Sequence, residues 1–175
     1  MSGKKIPAKL IEAREELLRV WADLGPSWGV SRTMSQIHAM LMIASEPLNT
    51  DEVMEQLSIS RGNAHKNLME LLEWGLVKRV QIQGDLKAYF VGEKDVWKVI
   101  QIITRERKRK ELQPVLEVLV GCLETTRGLR DAESKAFRAQ VAELKNFAET
   151  ADGVMEKIGR QRSGRIMAWA MRLLK

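Results

Sequence analysis

Apolar residues recur along this chain at helical spacing over most of its length and at strand spacing in one place. Leu10, Ala13, Leu17, Val20 and Leu24 step by threes and fours and predict a helix over 8–24, ended by Gly25-Pro26. Thr33 with Gln36 three residues on makes a capping-box pattern that opens a second helix. Its apolar face is Ile37, Met40, Leu41 and Ala44, and Pro47 lies just past its end. A short third helix begins at Asn49 or Thr50, with Asp51 and Glu52 placed to suit the helix dipole and Val53, Met54 and Leu57 turned inward. Ser58-Ile59 forms a turn. A fourth helix takes Ser60 as its cap and stops at Gly75. Val77 to Ile82 then reads as a strand, Gln83-Gly84-Asp85 as a turn, and Lys87 to Val91 as the return strand.

The second half is helical throughout. Residues 94–112 carry Val96, Val99, Ile100 and Ile103 inward, and Pro114 either kinks this helix or opens the next. Apolar residues resume at Val115, Leu116, Leu119, Val120 and Leu123, and Arg127-Gly128 breaks the pattern. From about Asp131, the residues Phe137, Val141, Leu144, Ala148, Ala151, Met155 and Ile158 alternate steps of four and three, which is a heptad seam. Gly153 inside it leaves the continuity of that helix open. Ser163 is placed to cap a last helix carrying Ile166, Met167, Trp169, Ala170 and Leu173.

This layout predicts a mainly α fold with a small β-hairpin wing: a winged helix-turn-helix flanked by N- and C-terminal dimerisation helices. It divides into an N-terminal dimerisation helix at 8–30, a winged helix-turn-helix at 31–93, and a helical dimerisation and effector region at 94–175. The flanking stripes hold more apolar surface than one small domain covers, and a heptad seam calls for a partner helix. The partner is the N-terminal helix, a second copy of the chain, or both; a two-fold homodimer using both is expected, through Leu10, Leu17, Trp21, Phe137, Val141, Leu144, Ala148 and Met155.

The fourth helix suggests chemistry. Ala64, Leu68, Leu71 and Leu72 share its inward face. Gly62, Asn63, Lys66, Glu70 and Glu73 share the opposite one, with Asn67 and Met69 on the flanks. The exposed face is neutral to basic at its N-terminal half and acidic beyond, the gradient of a helix that enters a major groove by its N-terminus. Asn63 and Asn67 suit adenine N6/N7, and Lys66 suits guanine O6/N7. Ser60 and Arg61 at the cap suit phosphate, Gly62 allows close approach, and His65 on the border suits either. In the wing, Lys78, Arg79 and Lys87 suit phosphate or the minor groove. The plain alternative is a solvated helix and hairpin on an ordinary helical domain.

Composition bounds the rest. Of 29 Lys+Arg and 23 Asp+Glu, residues 1–94 hold 12 of each, so the whole net charge of +6 lies in residues 95–175, outside the expected DNA reader. Global charge is therefore no argument for nucleic acid here; placement is. A single cysteine excludes a disulfide framework and a cysteine-based zinc site, and His38 and His65 do not make a metal site. No apolar run of about 18 residues and no leader pattern point to a membrane or to export, so a cytoplasmic, nucleoid-associated protein is expected. No nucleophile–base pair, phosphate-cradling loop or carboxylate pair appears, so neither an enzyme nor a cofactor is expected.

The stretches SRTMSQIHAMLMIASEPLNTDEVMEQLSISRGNAHKNLMELLEWGLVKRV and GDLKAYFVGEKDVWKVI resemble the MarR superfamily of bacterial regulators, its GbsR-like branch in particular, over about residues 8–115. The resemblance implies a homodimeric winged-helix transcription factor, held together by its terminal helices and released from double-stranded DNA by a small-molecule effector of unknown identity. Branch members regulate osmoprotectant uptake or synthesis, some in response to choline or related compounds. The family often has an arginine at the wing tip after Gly-Asp, where this chain has Leu86 and leaves the minor-groove contact to Lys87.

Other features have plainer readings. Trp21 and Trp28, with Trp74 and Trp97, invite an aromatic cage for a quaternary ammonium ligand, though tryptophan more often fills core or interface. Cys122, among Val118, Leu119 and Leu123, reads as a small buried apolar residue. The basic run 105–110 reads as a solvated helix face. The alternative function is a winged-helix interaction scaffold docking through its heptad helices without specific DNA binding.

Overall fold

Helix α1 occupies Ala8–Leu24 behind Pro7, as its apolar spacing predicts, and a 3₁₀ turn over Gly25–Trp28 follows it. The computed structural model describes residues 7–160 and divides into two units, Met1–Val96 and Trp97–Lys175. In the first, helix α2 (Arg32–Ile43) is the hub, touching α1 as well as the helices and strand that follow. Met34, Ser35, Ile37, His38, Ala39, Met40 and Leu41 are all buried, so this helix is covered on nearly every side. Its cap is Ser31, whose hydroxyl oxygen accepts the Met34 N–H at 3.1 Å. The expected cap at Thr33 is two residues late, because the extended backbone a cap needs is at Ser31.

A two-residue strand β1 (Leu48–Asn49) precedes helix α3 (Thr50–Leu57). Asn49 caps α3 in a full capping box: its Oδ1 accepts the N–H groups of Asp51 and Glu52 at 2.9 and 3.1 Å, and Glu52 Oε2 accepts the Asn49 N–H at 2.7 Å. Ser58 turns the chain in a left-handed conformation (φ 51°) into helix α4 (Arg61–Trp74), which ends at a left-handed Gly75. Strands β2 (Val77–Gln81) and β3 (Ala88–Gly92) form the hairpin, with Val80 opposite Tyr89. Leu48 and Asn49 pair with Phe90 and Tyr89, so the antiparallel sheet runs β1-β3-β2. The core gathers Met34, Ile37 and Leu41 of α2 with Val53, Leu68, Leu71, Leu76 and Val77.

Among its described residues the second unit is helical. Helix α5 (Val96–Arg107) runs through a π turn at Lys108–Leu112 into α6 (Gln113–Thr125). Pro114 opens α6 in its first turn; it has no N–H to give the preceding turn, and the chain widens just before it. Helix α7 (Ala132–Arg160) is continuous through Gly153. It packs on α6, and Arg138 donates to the Leu123 carbonyl at 3.0 Å.

Several inward assignments need correction. On α5, Val99 and Ile102 are buried while Val96 and Ile100 are exposed, so the inward stripe is rotated from the expected one. The heptad seam, expected to meet a partner helix and not assigned inward, is divided: Val141 and Ala148 are buried within the chain, and Phe137 and Leu144 are exposed. Cys122 is half-buried, not buried. The side chain of Ile158 and the helix expected from Ser163, with Ile166, Met167, Trp169, Ala170 and Leu173, lie outside the described residues. No helix among the described residues is long and apolar enough to cross a membrane.

Candidate nucleic-acid interface

Helix α4 is held by one side and open on the other. Ala64, Leu68, Leu71 and Trp74 are buried against the first unit's core. Arg61, Gly62, Asn63, His65 and Lys66 all lie exposed in the helix's first half. Ser60 caps them, its hydroxyl oxygen accepting the Asn63 N–H at 3.3 Å. Five of the expected contact residues are thus brought together at one helix end, where unsatisfied N–H groups and the dipole favour anions.

Asn67 is the exception. It is only 5% exposed, which removes it from the groove-facing set. The Ser31 hydroxyl donates to its Oδ1 at 3.0 Å. Its Nδ2 donates to the Asn63 carbonyl at 2.8 Å and to Asn63 Oδ1 at 2.7 Å. A polar side chain tolerates this burial because both of its ends are hydrogen-bonded, Oδ1 to Ser31 and Nδ2 to Asn63.

The wing presents Lys78 and Arg79, both exposed on β2. Its tip is organised by Asp85, which accepts the Lys87 N–H at 2.8 Å and the Tyr89 hydroxyl at 2.7 Å. The Lys87 N–H and then the Tyr89 hydroxyl hold the Asp85 carboxyl below its ordinary range, and the bond to Asp85 pushes the Tyr89 hydroxyl above its own. Leu86 projects from the tip 99% exposed.

Sequence reasoning missed Asp51, taken there only as a dipole partner. Its two carboxylate oxygens accept Lys87 Nζ at 3.0 Å and Arg61 Nη2 at 2.6 Å. Lys87 and then Arg61 hold the Asp51 carboxyl low, and Asp51 in turn raises Lys87. The partners are 10 and 36 residues away, so no local spacing reveals the link. One carboxylate therefore ties the start of α4 to the wing and occupies two cations otherwise suited to phosphate. Being exposed, these pairs contribute little to stability and are screened by salt.

The other candidate features resolve plainly. Trp21 and Trp28 meet edge to face, centroids 5.6 Å apart and planes at 88°, so the rings contact each other. Trp74 is buried. A concavity of about 350 Å³ lies instead between α1, the end of α2 and β1, lined by Ile11, Leu18, Met40, Ile43 and Leu48 with Glu15 and Glu46. In the basic run, Arg105 and Arg109 pair with a buried Glu106, Arg107 with Glu111, and Lys108 with Asp152. No cluster of three or more His, Cys, Asp or Glu among the described residues is placed to hold a metal. Of the expected dimer contacts on α1, Leu10 is exposed and Leu17 and Trp21 are half-buried.

A helix-turn-helix followed by a hairpin wing, on a three-stranded antiparallel sheet, defines a winged-helix protein. Among solved structures the chain is similar to one described as a transcriptional regulator, with a TM-score of 0.55 and 19% identity over 83% of this chain and 99% of that one. A zinc form of GAS PerR overlaps at a TM-score of 0.36 and 18% identity over 43% of this chain and 53% of that one, too low to bear on the fold. No protein-family model matches the chain, and no curated protein matches it by sequence.

Proposed function

We propose that this chain is a sequence-specific, double-stranded DNA-binding transcriptional regulator that works as a homodimer. The observation that carries the reading is the exposed row Arg61, Gly62, Asn63, His65 and Lys66 at the open end of a helix whose other side is core. Gly62 supports it. A Cβ there would meet none of the described residues within 4 Å, so their packing has no need of a helical glycine that costs about 1 kcal/mol relative to alanine. A groove wall pressed against that turn supplies the need. The described function of the similar structure adds weight to the same reading.

In this reading Ser60 and Arg61 anchor phosphate, and Asn63, His65 and Lys66 face base edges. Lys78 and Arg79 steady the wing on the backbone. The dimer forms through the exposed or half-buried members of the terminal stripes: Leu10, Leu17, Trp21, Phe137, Leu144 and Met155. Val141 and Ala148, already buried, drop out. The protein acts as a MarR-like repressor of the GbsR-like branch, modulated by a small molecule in osmoprotectant or choline-related control, as its motif resemblance suggests. The test is a gel shift with the chain's own upstream DNA across a salt series. Affinity should fall steeply with salt, and half-sites should lie about 34 Å apart. Binding indifferent to salt refutes the reading.

The scaffold alternative draws on α6 and α7, where Val118 and Phe147 are 65% and 74% exposed. It predicts that Leu144→Glu abolishes partner binding while Lys66→Ala changes nothing.

A further inference from the structure

The side chain of Asn63 faces outward, yet its orientation is decided inside the protein. A backbone carbonyl only accepts, so the Asn67 atom 2.8 Å from the Asn63 carbonyl has to be the amide nitrogen. The other end of Asn67 is then Oδ1, and it takes the Ser31 hydroxyl at 3.0 Å. That hydroxyl is itself directed, because its oxygen already accepts the Met34 N–H at 3.1 Å. The same Asn67 nitrogen lies 2.7 Å from the Asn63 amide, so the Asn63 atom facing it is the acceptor, Oδ1. The polarity runs one way from the start of α2 to the surface of α4: Met34 N–H to Ser31, Ser31 to Asn67, Asn67 to Asn63. Each bond reinforces the next, and most of the chain is shielded from water. Asn63 Oδ1 is thereby turned inward, and the end left outward is its Nδ2, a pure donor.

Resting on the DNA-reading role of α4, we propose that Asn67 is a positioning residue that sets base specificity, by fixing Asn63 with its amide hydrogens toward the groove. Adenine recognition by asparagine needs an acceptor and a donor side by side, for N6–H and N7. With one Oδ1 lone pair taken by Asn67 and that oxygen turned inward, a locked Asn63 presents chiefly donors to the groove. Guanine, with O6 and N7 as adjacent acceptors, is the matching base. Cytosine, which presents its N4 donor, is rejected. The first expectation from sequence, that Asn63 and Asn67 each read adenine, is replaced by one asparagine that reads guanine and one that aims it.

The experiment selects operator sequences from a randomised duplex pool with the full-length protein, and identifies the base pair that loses its preference in Asn63→Ala. Wild type should select guanine there by about tenfold or more over adenine. Asn67→Asp has no amide hydrogen to give, so Asn63 must turn its Nδ2 inward and its Oδ1 outward. Preference at that one pair should move from guanine to a donor-bearing base, adenine or cytosine, with other positions unchanged. Asn67→Leu, apolar and with the same branching, should relax the pair without inverting it. Adenine at that pair in wild type, or an unchanged preference in both folded variants, overturns the proposal. A wild type that selects no sequence at all overturns the DNA-reading role itself. A readout needing no variant is amide exchange of the free protein. The Asn67 side-chain hydrogens should be protected and those of Asn63 should exchange freely; the reverse order would sink the mechanism.

Discussion

His38 makes the stability of the first unit pH-dependent in a calculable way. The side chain is 3% exposed in the middle of α2, its Nε2 has no hydrogen-bond partner among the described residues, and burial alone pushes its pKa from 6.5 down to about 4. Above pH 6.5 the ring is neutral whether the chain is folded or not, and its titration contributes nothing. Between 6.5 and about 4 the unfolded chain takes up a proton that the folded chain refuses, so stability falls as pH falls. Each pH unit is worth about 1.4 kcal/mol, which makes the full loss about 3 kcal/mol and the loss between pH 6.5 and 5 about 2 kcal/mol. Asp51, Asp85 and Asp131 also have lowered pKa values, but their contributions disappear only as pH falls below the ordinary carboxylate value of 3.8. The window above about pH 5 therefore isolates His38. Urea unfolding at a series of pH values should show the wild-type midpoint dropping through that window and the midpoint of His38→Leu staying level. Parallel curves, or no drop in wild type, would refute the argument that a buried neutral ring is the cause.

Three further outcomes are expected. Gly92→Ala should lower the urea midpoint. Its Cβ would lie 2.7 Å from Met42 N and 2.8 Å from Leu41 C, both backbone of α2, against 3.4 Å for ordinary contact. Overpacking of this kind costs about 1–3 kcal/mol, more than the 0.4–1 kcal/mol or so gained from a stiffer unfolded chain. Asp51→Asn should strengthen binding to scrambled duplex and to operator alike in paired gel shifts, since it releases Arg61 and Lys87 to phosphate; unchanged affinity for both would count against it. Leu86→Arg should tighten binding and steepen the salt dependence by about one unit, read from affinities across a salt series; an unaltered slope would mean the wing tip never meets the duplex.

Elements bounded by strong local signals were legible from residues alone: α1 by its stripe, α3 by Asn49, α4 between Ser60 and Gly75, the hairpin by Gly84. What escaped depended on segments meeting. Strand β1 is two residues long, too short to carry a period, and exists because Leu48 and Asn49 lie against β3. Asn67 reads as a surface residue until Ser31, 36 residues earlier, arrives to satisfy it. Asp51 reads as a dipole acid until the hairpin register brings Lys87 across. On α5 the buried member Glu106 is a charged residue, which no hydrophobic pattern selects; its paired arginines supply the reason. The site was thus legible as a helix end and a set of exposed side chains, and illegible as a network.

Asn49 belongs to two structures at once, as the last residue of β1, paired with Tyr89, and as the cap of α3. The hairpin and the helix pair are welded at that residue, like the fixed jaws of a gauge. Under the proposed function such jaws do not flex to fit a duplex, so the duplex has to adjust its groove width and curvature to them. Operators should then be chosen partly for compliance at base pairs that no side chain reaches, and stiffening those uncontacted steps should weaken binding with every contact left intact.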